Sequence, residues 1–366
     1  MATTGAGAVV ALLVVSVQAC SFTSSGASPS RVATSQVSIP PIPASATPAG
    51  LIAFRRYTDT NLTTSQIVTA HLDGTHQQGL TPSTPGVRDS LPAWSHDGKG
   101  LAFLRTTPEP HPTAEVFVVG RSGGRVRQLT HSPAGAGCGA TSGPEPAAPA
   151  SSLSCNSDPS WSPDGTTLAY SHRYQHDSVM LSEIWVTNQA GTETHALSAG
   201  GQPVQGSGPS WSPDATRIAF ERGNSRGTSA IFLVRADGTG EQRLTAGNLS
   251  FGDHPAWSPD GTKILFRSHP NDPTQGFQQS DLYTVHPDGT GLTKLTHSAP
   301  DLEYLSSSWS PDGRWIVTGL VQRGSHSNQA QLYLLSAHAD QGRLVVDNPH
   351  WQSAPRWNPT PGKTAP

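Results

Sequence analysis

From Leu51 onward, short apolar runs alternate with polar, turn-forming ones, and the same order of runs returns again and again. Each unit centres on a tryptophan followed by Ser-Pro-Asp-Gly or a remnant of it. The five full turns are Trp94-Ser95-His96-Asp97-Gly98, Trp161-Ser162-Pro163-Asp164-Gly165, Trp211-Ser212-Pro213-Asp214-Ala215, Trp257-Ser258-Pro259-Asp260-Gly261 and Trp309-Ser310-Pro311-Asp312-Gly313. A degenerate sixth is Trp357-Asn358-Pro359, and successive tryptophans lie 67, 50, 46, 52 and 48 residues apart. Serine bonding back to the chain, proline presetting φ and glycine at the exit suit a type I turn. After each full turn an apolar triplet predicts a buried strand: Leu101-Ala102-Phe103, Leu168-Ala169-Tyr170, Ile218-Ala219-Phe220, Ile264-Leu265-Phe266 and Ile316-Val317-Thr318. A third strand is expected at Glu115–Val119, Glu183–Thr187, Ala230–Val234, Asp281–Val285 and Gln331–Leu335. A second turn such as Asp237-Gly238-Thr239-Gly240 then leads to a closing strand ending in Leu-Thr, at 80–81, 129–130, 244–245 and 295–296.

The two ends of this pattern complement each other. The last tryptophan segment has no apolar triplet after it, whereas Leu51-Ile52-Ala53-Phe54 has no tryptophan before it. Joining them makes a sixth unit from one C-terminal and three N-terminal strands, with no free sheet edge at the seam. A period near 50 residues without a helical pattern fits a four-stranded blade.

This repeat, Pro-x-Trp-Ser-Pro-Asp-Gly, then Ile-Ala-Phe, Asp-Gly-Thr-Gly and Leu-Thr, resembles that of TolB-type propellers in the wider WD-repeat-like group. The resemblance covers roughly residues 51–358. It implies an all-β fold, a six-bladed β-propeller of four-stranded blades, closed by N-terminal strands pairing with the C-terminal strand. TolB itself carries an α/β domain before its propeller and works in the cell envelope with peptidoglycan-associated lipoprotein. Similar propellers precede the hydrolase domain of prolyl-oligopeptidase-like enzymes and form the body of oligogalacturonate lyases. Fold of this kind does not fix function.

Ahead of the repeat, Ala8 to Val17 is apolar but too short to read as a membrane-spanning helix. Val17-Gln18-Ala19-Cys20-Ser21 resembles the lipobox of bacterial lipoproteins, which implies residues 1–20 as a signal segment and Cys20 as a lipidated N-terminus. A plain secretory signal is the alternative. Residues 21–50, almost wholly Ser, Thr, Ala, Pro, Val and Gly, read as a disordered tether. Residues 359–366 read as a tail. The expected location is therefore the extracytoplasmic face of a bacterial cell membrane.

Composition narrows the partners. Lys+Arg 23 against Asp+Glu 26 gives a net charge of −3, which provides no basic field for nucleic acid. Gly 37 and Pro 32, with Met 2, exclude a helical bundle. Of the 3 Cys, Cys138 and Cys155 fall in an insert, 130–156, that accounts for the longest spacing. In an exported chain they are expected to pair as a disulfide, with a metal or redox pair as the alternative.

Candidate chemistry is sparse. Gly120-Arg121-Ser122-Gly123-Gly124 and Gly223-Asn224-Ser225-Arg226-Gly227 match the nucleophile-elbow pattern, but both fall at hairpins and not at a strand-to-helix turn, so serine hydrolysis is not expected. The inter-blade segments should converge on a channel mouth and would offer Arg88, Asp89, Asp158, Asp253, His254, Glu303, Tyr304 and His350 to a carboxylate, sugar or peptide ligand. Asp253, His254 and His350 are conceivable as a metal site, though their spacing follows no known ligand motif. No cofactor is expected. The reading favoured is a noncatalytic, monomeric binding propeller, tied to the membrane by lipid, meeting an envelope protein or cell-wall component at the mouth. A metal-assisted lyase of oligogalacturonate type and a subunit of a Tol-type envelope complex are the alternatives.

Overall fold

Among the described residues every regular element is a strand; four sheets have four strands each, two further groups of four are joined by one parallel pair, Ser65 with Arg88, and a two-stranded hairpin stands apart. The computed structural model describes residues 39–43, 48–108, 112–132, 154–176, 179–223, 228–245, 250–269, 280–299, 302–322, 330–346, 348 and 350–359, with the backbone alone at 250–253. All belong to one unit, Ser35–Pro366.

The second sheet shows the plan: Arg88–Trp94, Gly100–Thr107, Thr113–Gly120 and Arg127–Gln128, each antiparallel to the next. Sheets three to six begin with the inner strands Ser154–Trp161, Ser207–Trp211, Ser250–Trp257 and Leu302–Trp309. The first sheet is composite. Gln352–Trp357 pairs with Leu51–Tyr57, in a register that places Trp357 opposite Ile52 and Arg356 opposite Ala53. Phe54 and Trp357 thus share one sheet, as the complementary ends of the sequence predict.

Three local devices repeat. In the first turn, Ser95, Ser162, Ser212, Ser258 and Ser310 donate their hydroxyls to Asp97, Asp164, Asp214, Asp260 and Asp312 at 2.5–2.7 Å. The exit residue takes φ near +60 to +70°, which glycine adopts freely and Ala215, at +58°, does not. At the outer edge, the Leu-Thr pair clamps one residue of the third strand twice. Leu80 N–H donates to the Ile67 carbonyl at 2.8 Å, and Ile67 N–H donates to Thr81 Oγ1 at 3.0 Å. The same pair of bonds recurs at Val116, Ile231 and Leu282. Sheet three has Ser198 where sheets one, two, four and five have threonine. There the Ile184 N–H donates instead to the Val204 carbonyl at 2.9 Å, brought back by the small hairpin of Ser198–Ala199 and Gln202–Pro203.

The third device packs the sheets against one another. A Cβ on Gly191, in the second turn of sheet three, would lie 2.3 Å from the Leu129 carbonyl oxygen on the outer strand of sheet two. Gly74 of the first sheet stands in the same relation to Val345 of the sixth, at 2.7 Å. The apolar clusters agree: six of them each join neighbouring sheets, and one unites Ile52, Phe54 and Val68 of the first with Val317, Leu332 and Leu334 of the last. Inner strands contact in the same cyclic order, with Gln352–Trp357 touching both Leu302–Trp309 and Arg88–Trp94. The sheets therefore close on themselves as a propeller.

The folded body starts before Leu51. Within the stretch read as a tether, Ile39–Pro43 lies along the sixth sheet: Gly342 N–H donates to Pro40 O at 2.9 Å, and Ile42 is 4% exposed in the cluster between sheets six and one. Two isoleucines among prolines supply apolar area that the polar composition of 21–50 hides. Likewise Cys155 and Asn156, placed in the insert by spacing, already belong to the inner strand of sheet three. Cys20 and Cys138 lie outside the described residues.

Candidate functional site

Each inner strand runs from an inter-sheet connection to its tryptophan, so the strands have a starting end and a tryptophan end. All six carry a bulge between them. In five, the residue three before the tryptophan has a left-handed backbone: Leu91, Asp158, Gly208, His254 and Ala354, with φ between +50 and +61°. The sixth strand, where Ser307 replaces the proline found two before every other tryptophan, has no such residue. A bulge of this kind bends and twists the strand and changes which side chains face inward beyond it.

Beyond the bulges lies a cavity of about 450 Å³. Its wall contains all six repeat tryptophans, Trp94, Trp161, Trp211, Trp257, Trp309 and Trp357, and eight prolines from the two positions flanking them. The residue before each tryptophan is small, Ala93, Ser160, Ser210, Ala256 or Ser308, except in the closing strand, where it is Arg356. His96 is exposed at the rim. Burial holds the Arg356 guanidinium well below its ordinary value, at about 10, against the opposing influence of Asp158. Indole, pyrrolidine and one half-buried cation make a surface suited to an apolar body carrying negative charge.

None of the eight candidates from the sequence lines this cavity. Asp89 is fully enclosed and holds Arg105 through two bonds, of 2.7 and 2.8 Å. Glu303, 6% exposed, pairs with Arg267 at 3.2 Å. Tyr304 packs in the cluster between sheets five and six, where burial pushes its hydroxyl pKa up. Arg88, half-buried, donates to Thr106 at 3.4 Å. Asp158 accepts the hydroxyls of Ser157 and Ser171 at 2.7 and 3.1 Å, and His254 is half-buried at its bulge. His350 is half-buried, its N–H donating to Asn348. The Asp253 side chain is outside the description, and among the described residues no three His, Cys, Asp or Glu side chains group as metal ligands.

A second polar cluster joins sheets two and three near the starting end. Glu115, 3% exposed, accepts from Thr130, Ser132 N–H and Asn156, and Asn156 bonds His172 at 2.8 Å. Glu183 accepts from Tyr174 and Trp185, which pushes Tyr174 up to about 12. Every acid here is spent on neighbouring donors. Ser122 of the first elbow match is an exposed residue of a β-turn, and Ser225 is outside the described residues.

The tryptophans are not among the site residues that the sequence offers. The signal that would have found the cavity was the small residue kept before five of them and the arginine before the sixth.

A model of the TolB beta propeller domain matches residues 149–359. By structure, the chain is similar to TolB from Acinetobacter baumannii, with a TM-score of 0.63 and 19% identity over 85% of this chain and 67% of that one. It is similar to a putative TolB from Agrobacterium tumefaciens, with a TM-score of 0.56 and 18% identity over 86% and 99%. A chain of a nidogen/laminin complex reaches a TM-score of 0.59 at 10% identity, over 84% and 98%. At such identities the likeness is one of fold. No curated protein matches the sequence.

Proposed function

Because the chain belongs to the TolB beta propeller domain family, we propose that it is a noncatalytic binding propeller of the bacterial cell envelope. A lipid on Cys20 holds it at the extracytoplasmic face, and its ligand is an envelope protein or a cell-wall component. The observation that carries this reading is the cavity at the tryptophan end, a preformed concave surface of aromatic and proline rings built from all six sheets. Such a surface suits binding, and among the described residues of its wall no acid stands beside a base. A disulfide from Cys138 to Cys155 belongs to the same exported setting; Cys155 is 1% exposed beside Leu104 and Ala114.

A photo-crosslinking residue in place of Ser210, on the cavity wall, tests the reading in intact cells. The expected result is a defined adduct with a cell-wall fragment or envelope protein, lost when Trp257→Ala is added. Turnover of uronate polymers with formation of a conjugated double bond would overturn it. Fatty-acid labelling tests the anchor: label is lost in Cys20→Ala, and label that persists there contradicts lipidation.

A further inference from the structure

The position before each tryptophan distinguishes one sheet from the other five. In five it is Ala93, Ser160, Ser210, Ala256 or Ser308; among the described residues of the cavity wall Arg356 alone brings a long charged side chain. Its hydrogen bonds go to two carbonyls, that of Pro355 at 3.0 Å and that of Ser307 at 3.5 Å. A guanidinium has five N–H donors, so most of its capacity is unspent. Among the described residues no carboxylate comes within ion-pair distance of it. Asp158 acts on it only through space, with one carboxylate oxygen already held by two serine hydroxyls. The contrast with the arginines near the starting end is plain: Arg105 has Asp89 and Arg267 has Glu303.

A half-buried cation without a contacting counter-charge is costly to keep. Function explains its retention when the missing charge arrives with a ligand. We infer that the cavity takes a carboxylate, which meets Arg356 through a two-pronged contact while the attached apolar body lies against the indole and proline wall. Guanidinium matches the planar, two-oxygen shape of a carboxylate better than it matches a spherical anion. The volume of about 450 Å³ admits a small organic acid or the last few residues of a chain ending in a free carboxylate. This inference rests on the binding reading above and names the chemistry of its ligand.

The test uses the purified folded protein in chloride-free buffer, read by quenching of tryptophan fluorescence and by melting temperature. The probes are benzoate, its neutral amide benzamide, and acetyl-Pro-Pro-Phe with a free or an amidated C-terminus. At least one free acid should bind about 10-fold or more tightly than its amide. Preference confined to benzoate identifies a small acid, and preference in the peptide pair identifies a chain end. Arg356→Met should reduce the preference to less than about twofold, with the unliganded melting temperature held or raised, a result a purely structural arginine would not give. Arg356→Lys should keep part of the preference, because charge remains and the fork is lost. Equal binding of acid and amide by the unaltered protein, which needs no variant to fold, overturns the inference. So does a preference that survives Arg356→Met. If quenching persists in those cases the cavity still binds and only the carboxylate assignment falls. No quenching by any probe overturns the assignment as well, and leaves the crosslinking at residue 210 to judge binding on its own.

Discussion

The two ends of the inner strands differ in kind. At the tryptophan end the six sheets are nearly alike, each giving an indole, and in the position before it five give a small residue while the closing strand gives Arg356. At the starting end acids are consumed by neighbouring arginines, as in Asp89 with Arg105 and Glu303 with Arg267. Polarity in a loop-rich stretch is therefore a poor guide to a site, because partners from adjacent strands neutralise it. A single exception within a strict repeat is the better guide, since the architecture does not ask for it.

The comparison breaks most sharply through Asp89. Asp89→Ala leaves the half-buried Arg105 without its acid and should lower stability by about 3 kcal/mol in denaturant melts. Probe binding at the cavity should be unchanged in whatever fraction remains folded. A stable variant that loses probe binding would mean that the starting end is the functional one.

A smaller loss is expected at the rim. Gly191→Ala places a methyl group against the Leu129 carbonyl and demands a left-handed alanine, at roughly 2–3 kcal/mol. Urea unfolding measures it, and a neutral result would mean that sheets two and three are not seated as described.

Acid should weaken the turns together. Serine hydroxyls, helped by backbone N–H groups, hold Asp97, Asp164, Asp214 and Asp260 below the usual carboxylate range. A lowered folded value means that the stabilisation is present above the unfolded carboxylate value near 4 and is lost as the pH falls through the folded one. Ser162→Ala should accordingly destabilise the protein at pH 7 and converge with the parent toward pH 2. Equal differences at both pH values would show that the hydroxyl–carboxylate bond contributes nothing.

The smallest effect is a gain. Ala215→Gly restores the residue found in the four other full turns and removes a left-handed alanine, worth about 0.5–1 kcal/mol. Calorimetry should show a raised melting temperature, and a lowered one would contradict the turn geometry.

Much of the fold was legible because its devices are local. Ser-Pro-Asp-Gly, Asp-Gly-Thr and Leu-Thr each close a bond within one sheet, and the orphan Leu51–Phe54 segment pointed directly to Trp357. The cavity was not legible, because the bulges that turn the tryptophan end inward put Leu91, Asp158, His254 and Ala354 into a conformation their residue types do not announce. Nor was the seat of Ile39–Pro43 on the sixth sheet, which depends on room beside Gly342: a Cβ there would lie 2.9 Å from Leu335 and 3.4 Å from Ile39.

Everything at the axis depends on the closing strand, since Gln352–Trp357 both completes the first sheet and carries Arg356. Hydrogen exchange of the native protein tests it directly. The amides of Gln352–Trp357 that pair with Leu51–Tyr57 should exchange together with theirs, at rates as slow as those of the inner strand of sheet two. Rapid exchange of the C-terminal strand while Leu51–Tyr57 stays protected would contradict the closed ring and the site built on it.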